Sequence, residues 1–193
     1  MTQTSAQTSA PTASTARFRL TARWPTTAAV VVAALTVYDL DEGTALAPVL
    51  AASGLVYLGA AAARRPAAAW PVFGGTFVLI TIGKLTGMDP TVVLLAVAAV
   101  TAVVGLVHAG IRPPHAMPLQ LLGMAVAGAL AAGALVVAPT VGAYLVAAGL
   151  LGHAAWDVHH HRTGRVVSRS LAEFCLVIDT LLAVAIVVLT ATT

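Results

Sequence analysis

The sequence is poor in charged and aromatic residues and contains almost no cysteine. Charged side chains make up 9% and aromatic side chains 5% of its 193 residues, whereas 59% are hydrophobic. A soluble domain of this length could not bury so much apolar surface in one core, so the composition excludes that class. The single cysteine, Cys175, excludes an internal disulfide. We therefore expect an integral membrane protein.

The alternation of apolar and polar residues that is typical of membrane β-barrels is also missing. Ala, Val and Leu instead form continuous blocks close to the roughly 20 residues that cross a bilayer as a helix. The sequence predicts an all-α bundle of seven transmembrane helices over residues 24–193, after a disordered polar tail and basic segment at 1–23. The predicted helices are Trp24–Tyr38, Ala45–Ala63, Trp70–Gly83, Pro90–Val107, Pro118–Val137, Thr140–Trp156 and Leu171–Leu189.

Positive charge falls almost entirely on one predicted face of the membrane. With seven crossings and a cytoplasmic N-terminus, Lys84 alone among the ten Lys and Arg residues lies outside. Cytoplasmic loops are enriched in Lys and Arg, so the pattern predicts a C-terminus outside the cell membrane. The basic residues then need no nucleic-acid partner, and we expect membrane lipids as partners, with self-association possible through glycine-rich faces. The nine cytoplasmic arginines are Arg17, Arg19, Arg23, Arg64, Arg65, Arg112, Arg162, Arg165 and Arg169.

Histidines are concentrated at the predicted cytoplasmic end of the sixth helix. At about 100° per residue, His153, Asp157, His160 and His161 share one face of that helix, while His159 points away. Imidazole and carboxylate groups with this spacing can converge on one ion. The pattern predicts a site for a divalent metal (zinc, iron or manganese) with those four residues as ligands. The alternative is that the consecutive histidines only contact lipid phosphates.

A further ionisable residue, Asp179, lies inside the seventh predicted helix. With a rise of 1.5 Å per residue, it lies about 12 Å from the start of its helix, and His153 lies about 13 Å from the basic turn. The two helices are antiparallel neighbours in sequence, so we expect His153 or Asp157 to pair with Asp179. Asp157 and Asp179 are the candidate catalytic residues.

Three residues near these groups are candidates for supporting roles. Trp156 lies within the polar segment of the sixth helix. Glu173 is expected in the first turn of the seventh helix, as a cap favoured by the helix dipole or as the ion-pair partner of an arginine. Cys175 shares a face with Asp179, as a small buried residue beside the site or as a further ligand.

In this region the sequence resembles a family of small bacterial membrane proteins without an established activity. Their last two helices follow the pattern His-x-x-Trp-Asp-x-x-His-His-x-x-Gly and then Cys-x-x-x-Asp. The resemblance covers about the last 40 residues and implies that eight positions act together; Glu173 has no counterpart in the pattern. The matching positions are His153, Trp156, Asp157, His160, His161, Gly164, Cys175 and Asp179.

These residues are compatible with several functions. One is an enzyme that uses a metal, or a His/Asp acid–base pair, on a lipid-soluble substrate at the cytoplasmic side. A buried carboxylic acid could instead initiate isoprenoid cyclisation, although few aromatic residues are available to stabilise a cation. A transporter of protons or metal ions would also use intramembrane Asp and His, but the outer half of the bundle offers only Asp39 and Lys84, near its end. Haem ligation is least favoured because only His153 is deep enough, and a structural polar network without catalysis is the remaining alternative.

Overall fold

The computed structural model describes residues 23–108 and 117–192, which form seven α-helices and no strand. The prediction of an all-α bundle is confirmed. Most of the predicted tail, together with Arg17, Arg19, Arg112 and His115, lies outside the described residues. Short 3₁₀ turns precede α2 and α3. The helices are α1 (Trp24–Tyr38), α2 (Ala47–Ala62), α3 (Ala69–Thr86), α4 (Thr91–His108), α5 (Met117–Ala134), α6 (Pro139–Thr163) and α7 (Arg169–Thr192).

Six of the seven helices are long and apolar enough to cross a membrane, if α2 and α3 are counted with their 3₁₀ turns as Gly43–Ala62 and Pro66–Thr86. This is consistent with a multi-pass membrane protein in contact with lipid. Helix α1 is shorter, with 15 residues. Its two ends nevertheless contact residues near the two ends of α3. The rings of Trp24 and Trp70 lie 5.2 Å apart at one end, and Lys84 Nζ lies 3.5 Å from Asp39 Oδ2 at the other.

The two ends of the bundle differ in charge. The first residues of α1, α3 and α7 lie together, because Trp70 contacts Trp24 and its Nε1 donates a hydrogen bond to Ser170 Oγ at 3.1 Å. We call this the basic end. The opposite end carries the Asp39–Lys84 pair together with Asp41, Glu42 and Asp89, and we call it the acidic end. Which end faces the cytoplasm stays a prediction. The arginines at the basic end are Arg23, Arg64, Arg65, Arg162, Arg165 and Arg169.

Helix α2 forms the centre of the bundle. All of its residues are buried except Val49 and Ala62, which are half-buried. A helix that is apolar on every side is expected in such a position. Small residues let its neighbours approach, since a β-carbon at Gly54 would lie 3.0 Å from the Met124 sulfur of α5. This placement carries Tyr57, near the end of α2, into the interior.

Helices α6 and α7 are antiparallel and pack closely along their length. Helix α6 continues through the histidines and ends at Thr163, seven residues beyond the predicted boundary at Trp156. Gly164 explains the later end, because it adopts the left-handed conformation (φ 61°) and its N–H donates to His160 O at 2.7 Å. The helix therefore presents its polar residues on a regular surface.

Replacing Gly164 by alanine is expected to lower the free energy of unfolding by about 1–2 kcal/mol, because a β-carbon disfavours the left-handed conformation. Unfolding of detergent-solubilised protein, followed by circular dichroism, measures the effect. Gly133→Ala in α5 is the matched control, since its added β-carbon would meet no atom within 4 Å. Equal losses in the two variants would contradict the role assigned to Gly164.

Candidate metal centre

Three ionisable side chains meet between α6 and α7. His153 Nδ1 lies 2.8 Å from Asp179 Oδ2 and 3.3 Å from Asp157 Oδ2. One ligand atom from each residue lies within 4.8 Å of the other two. The exposed fraction of the side chain is 8% for His153, 3% for Asp179 and 0% for Asp157. The expected pairing of Asp179 with His153 is confirmed, and we call these residues the His/Asp group.

The local sequence explains why these groups meet. His153 and Asp157 are four residues apart, so they lie one turn apart on the same face of α6. His153 is ten residues before the end of α6 at Thr163, and Asp179 is ten residues after the start of α7 at Arg169. A rise of 1.5 Å per residue places both about 15 Å from the turn that joins the helices.

Tyr57 of α2 completes the surroundings of the group. Its hydroxyl donates a hydrogen bond of 2.5 Å to Asp157 Oδ1, and its ring lies edge-on to His153 and His160, with centroid distances of 5.1 and 4.8 Å. Sequence reasoning did not identify Tyr57. Tyr57 and Ser53 are the two hydroxyl-bearing side chains of an otherwise apolar helix. The tyrosine hydroxyl is a usable signal, because it lies too far from its own backbone to bond there and a buried polar group needs a partner.

His160 is buried but makes other contacts. Its Nδ1 lies 3.0 Å from the carbonyl oxygen of Trp156, and its Nε2 lies 3.3 Å from the Gln120 amide nitrogen of α5. Both ring nitrogens thus have partners in the protein, and the Trp156 ring lies 5.1 Å from the imidazole. His161 is half-buried, and neither it nor His160 joins a converging set of ligand atoms among the described residues. His159 is exposed, as the helical wheel predicts.

Glu173 has different surroundings from those expected, whereas Cys175 is a buried residue beside Asp179, one of its two expected roles. Helix α7 begins at Arg169, two residues early, so Glu173 falls in the second turn rather than the first. The Glu173 carboxylate accepts a hydrogen bond from Thr26 of α1 at 2.5 Å and has no arginine partner within the described part of the chain. Neither predicted role of Glu173 is found. Cys175 is buried and lines a cavity together with Asp179.

Three buried side-chain atoms of the described residues lack a hydrogen-bond partner: Asp157 Oδ2, His153 Nε2 and Gln120 Oε1. Asp157 Oδ2 lies near His153 Nδ1, but the shorter contact of that nitrogen is with Asp179. Unpaired buried polar atoms are costly, and a carboxylate oxygen especially so. A cation among the three ligand atoms would satisfy Asp157 Oδ2, so these residues fit a metal ion.

A cavity of about 370 Å³, which we call the α5–α6 cavity, adjoins the His/Asp group. It lies between α2, α5 and α6. Tyr57 and His153 contribute to its inner wall, while Leu122 and Val126 in its lining are 61% and 53% exposed on the outer surface of the bundle. The cavity therefore extends from the His/Asp group to the apolar outer surface of the bundle.

A second cavity, of about 290 Å³, lies between α1, α2, α3 and α7 and extends from the Asp39–Lys84 pair to Asp179. Its walls are mainly apolar but include four hydroxyl side chains. The sequence predicted that the outer half of the bundle offers only Asp39 and Lys84 as polar residues. That prediction is wrong, because these hydroxyl groups lie between the Asp39–Lys84 pair and the His/Asp group. Each hydroxyl donates to a carbonyl of its own helix, which leaves its oxygen lone pairs available. The four residues are Thr36, Ser53, Thr76 and Thr81.

Comparisons of this chain with protein-family models, with curated proteins and with solved structures found no match. The resemblance of the last two helices to a family of bacterial membrane proteins therefore stays a prediction. The function has to follow from the geometry of the His/Asp group and of the two cavities beside it.

Proposed function

We propose that this protein is a membrane metalloenzyme that acts on a lipid-soluble substrate. His153, Asp157 and Asp179 are the ligands of a divalent cation. The observation that carries the proposal is the convergence of these three buried ligand atoms, one of which, Asp157 Oδ2, has no hydrogen-bond partner among the described residues. One imidazole nitrogen and two carboxylate oxygens are a ligand set that zinc, iron and manganese accept.

Charge balance supports a divalent ion at this position. Two carboxylates beside a neutral imidazole carry two negative charges in a part of the chain that crosses the membrane, where unpaired charge is costly. One divalent cation balances them. Three protein ligands also correspond to a catalytic site, because catalytic metals keep a coordination position open.

The surrounding residues define what the chain itself contributes. Tyr57 fixes the orientation of Asp157 through its hydrogen bond, as partners of ligating carboxylates commonly do. His153 Nδ1 lies 2.8 Å from Asp179 Oδ2, a contact that holds the two side chains together without a metal, and a cation bound by both would replace the proton that they share. A bound metal would supply Lewis acidity, either to a water molecule or to a polar group of the substrate.

Access from the membrane supports a lipid-soluble substrate. His153 lies in the wall of the α5–α6 cavity, whose other lining is almost entirely apolar and reaches the lipid-facing surface. A molecule dissolved in the bilayer could reach the His/Asp group without crossing water. Apart from His153, the described lining contains two aromatic side chains, Tyr57 and Trp156, which gives little support to an isoprenoid cyclase.

The enzymatic proposal is tested by incubating proteoliposomes with a bacterial total-lipid extract and zinc, manganese or ferrous iron, followed by lipid mass spectrometry. We expect one lipid species to be consumed and a product to form with wild-type protein plus metal. Asp157→Asn should abolish the change, whereas His159→Ala, which alters an exposed residue outside the His/Asp group, should retain it. Metal-loaded protein that changes no lipid would contradict catalysis on membrane lipids.

Cation or proton transport is a second candidate, favoured by the cavity between the Asp39–Lys84 pair and Asp179. That cavity and the α5–α6 cavity lie on opposite sides of the His153–Asp179 pair. A transporter should move zinc or manganese, or protons, into proteoliposomes that hold a fluorescent indicator, and Asp179→Asn should stop the flux. Lipid turnover without flux would favour the enzyme, and flux without turnover would favour the transporter.

A further inference from the structure

Gln120 presents a free hydrogen-bond acceptor inside the bundle. A carbonyl oxygen only accepts, so the contact of His160 Nδ1 with Trp156 O places the ring hydrogen on Nδ1. His160 Nε2 is then an acceptor, and the Gln120 group that contacts it must be the amide NH₂. The other amide atom, Gln120 Oε1, has no hydrogen-bond partner among residues 23–108 and 117–192, although the residue is buried, with 1% exposed.

Gln120 lines the α5–α6 cavity, so a molecule in that cavity can meet this unpaired oxygen. The volume of about 370 Å³ lies within the range of small-molecule sites, roughly 300–1,000 Å³. Glycines keep the cavity open: a β-carbon at Gly152 would meet no atom within 4 Å, and one at Gly123 would only touch Trp156 at 3.8 Å. A ligand chain can lie in this space against both helices.

The chemistry of the lining restricts the ligand. A group that satisfies Gln120 Oε1 must be a hydrogen-bond donor. An ammonium group would be a poor fit, because the described residues of the lining include no carboxylate to balance its charge, and an unpaired charge is costly in the membrane. A hydroxyl group is a neutral donor, and the remaining lining suits an aliphatic chain.

We infer that the α5–α6 cavity binds a long-chain lipid alcohol whose hydroxyl donates to Gln120 Oε1. This inference names the substrate class and rests on the proposed function for the identity of the reaction. Binding itself requires only Gln120 and the cavity. The chain of the alcohol lies along the surface made by Leu122, Val126 and Gly152.

Fluorescence of Trp156, which lines the cavity, provides a direct measurement. Trp24→Phe and Trp70→Phe leave Trp156 as the only tryptophan of the chain. Bromine quenches tryptophan at short range, so a dibrominated stearyl alcohol should quench Trp156 saturably in nanodiscs. The methyl ether of that alcohol cannot donate a hydrogen bond, and we expect it to bind about three- to tenfold more weakly.

Two variants separate recognition of the hydroxyl from occupation of the cavity. Gln120→Leu should lower the affinity for the alcohol to that for the ether and leave the affinity for the ether unchanged. A general structural effect would lower both affinities. Gly152→Leu fills the cavity and should abolish saturable quenching by both ligands. Gly133→Leu, which lies in α5 but outside the lining, is the matched control. This variant should bind the alcohol and the ether with the affinities of the protein that retains Gly133.

The inference is overturned if the alcohol and the ether quench Trp156 equally. It is also overturned if quenching by the alcohol rises with concentration without saturating, as expected for a brominated phospholipid in the bulk bilayer. Equal quenching would mean that Gln120 does not recognise the hydroxyl, and quenching without saturation would mean that bulk lipid alone occupies the cavity. The assay is run on metal-depleted and metal-loaded protein. Binding of the alcohol without any metal uptake would contradict the metalloenzyme and support the alcohol site. Metal uptake without selective binding of the alcohol would support the metal centre and contradict the alcohol site.

Discussion

In metal-depleted protein, Asp179→Leu is expected to lower the free energy of unfolding by about 3 kcal/mol. Removing one partner of a buried charged pair leaves the other without compensation, at a cost of about 3–5 kcal/mol. We expect the lower end of that range because His153 Nδ1 still has Asp157 Oδ2 at 3.3 Å. Equilibrium unfolding in mixed detergent–SDS micelles, followed by circular dichroism, measures the loss.

A double-mutant cycle isolates the pair itself. Replacing both His153 and Asp179 by leucine should cost less than the sum of the two single changes, with a coupling of about 1–3 kcal/mol. The Asp39–Lys84 pair is the matched control, since its side chains are 80% and 49% exposed. The same cycle on that pair should give a coupling below about 1 kcal/mol. Additive effects at His153 and Asp179 would contradict the observed pairing.

Tyr57→Phe is expected to lower the free energy of unfolding by about 2 kcal/mol. The substitution keeps the ring and removes only the hydroxyl that donates to Asp157 Oδ1. A hydrogen bond to a charged group contributes roughly 1.5–3 kcal/mol. The variant should also bind a divalent metal about 10- to 100-fold more weakly, because the partner of a ligating carboxylate is lost. Competition with a fluorescent chelator measures the metal affinity.

Ser53→Ala is the control for this change. Ser53 lies one turn earlier in α2, is buried, and donates to the backbone oxygen of Leu50. Losing that local, neutral hydrogen bond should cost no more than about 1 kcal/mol and should not alter metal affinity. Unchanged metal binding in Tyr57→Phe would contradict its role in positioning Asp157, whatever the effect on stability.

The fold was largely predictable because bilayer thickness constrains both composition and helix length. All seven apolar segments are helices in the described part of the chain. The boundaries were less predictable, since they depend on local capping. Gly164 supplies the left-handed residue that ends α6 at Thr163, and α7 begins at Arg169, which moves Glu173 out of the first turn.

The candidate site was predictable only along single helices and across the short turn between α6 and α7. Helical spacing places His153 beside Asp157, and equal depth places Asp179 opposite them. Tyr57 and Gln120 come from α2 and α5, and their partners depend on how distant segments pack laterally. No periodicity in one helix specifies that packing. The same limit applies to His160, whose contact with Gln120 depends on the position of α5.

The most direct test of the account is the metal content of detergent-purified protein, measured by inductively coupled plasma mass spectrometry after removal of any affinity tag. The account predicts about one zinc, iron or manganese ion per chain, as expected for a single specific site. His153→Ala/Asp157→Ala should lose this metal, and the control His159→Ala/His161→Ala, which removes two histidines outside the His/Asp group, should keep it. The absence of metal from wild-type protein, even after reconstitution, would contradict the central claim, as would its loss only from the control.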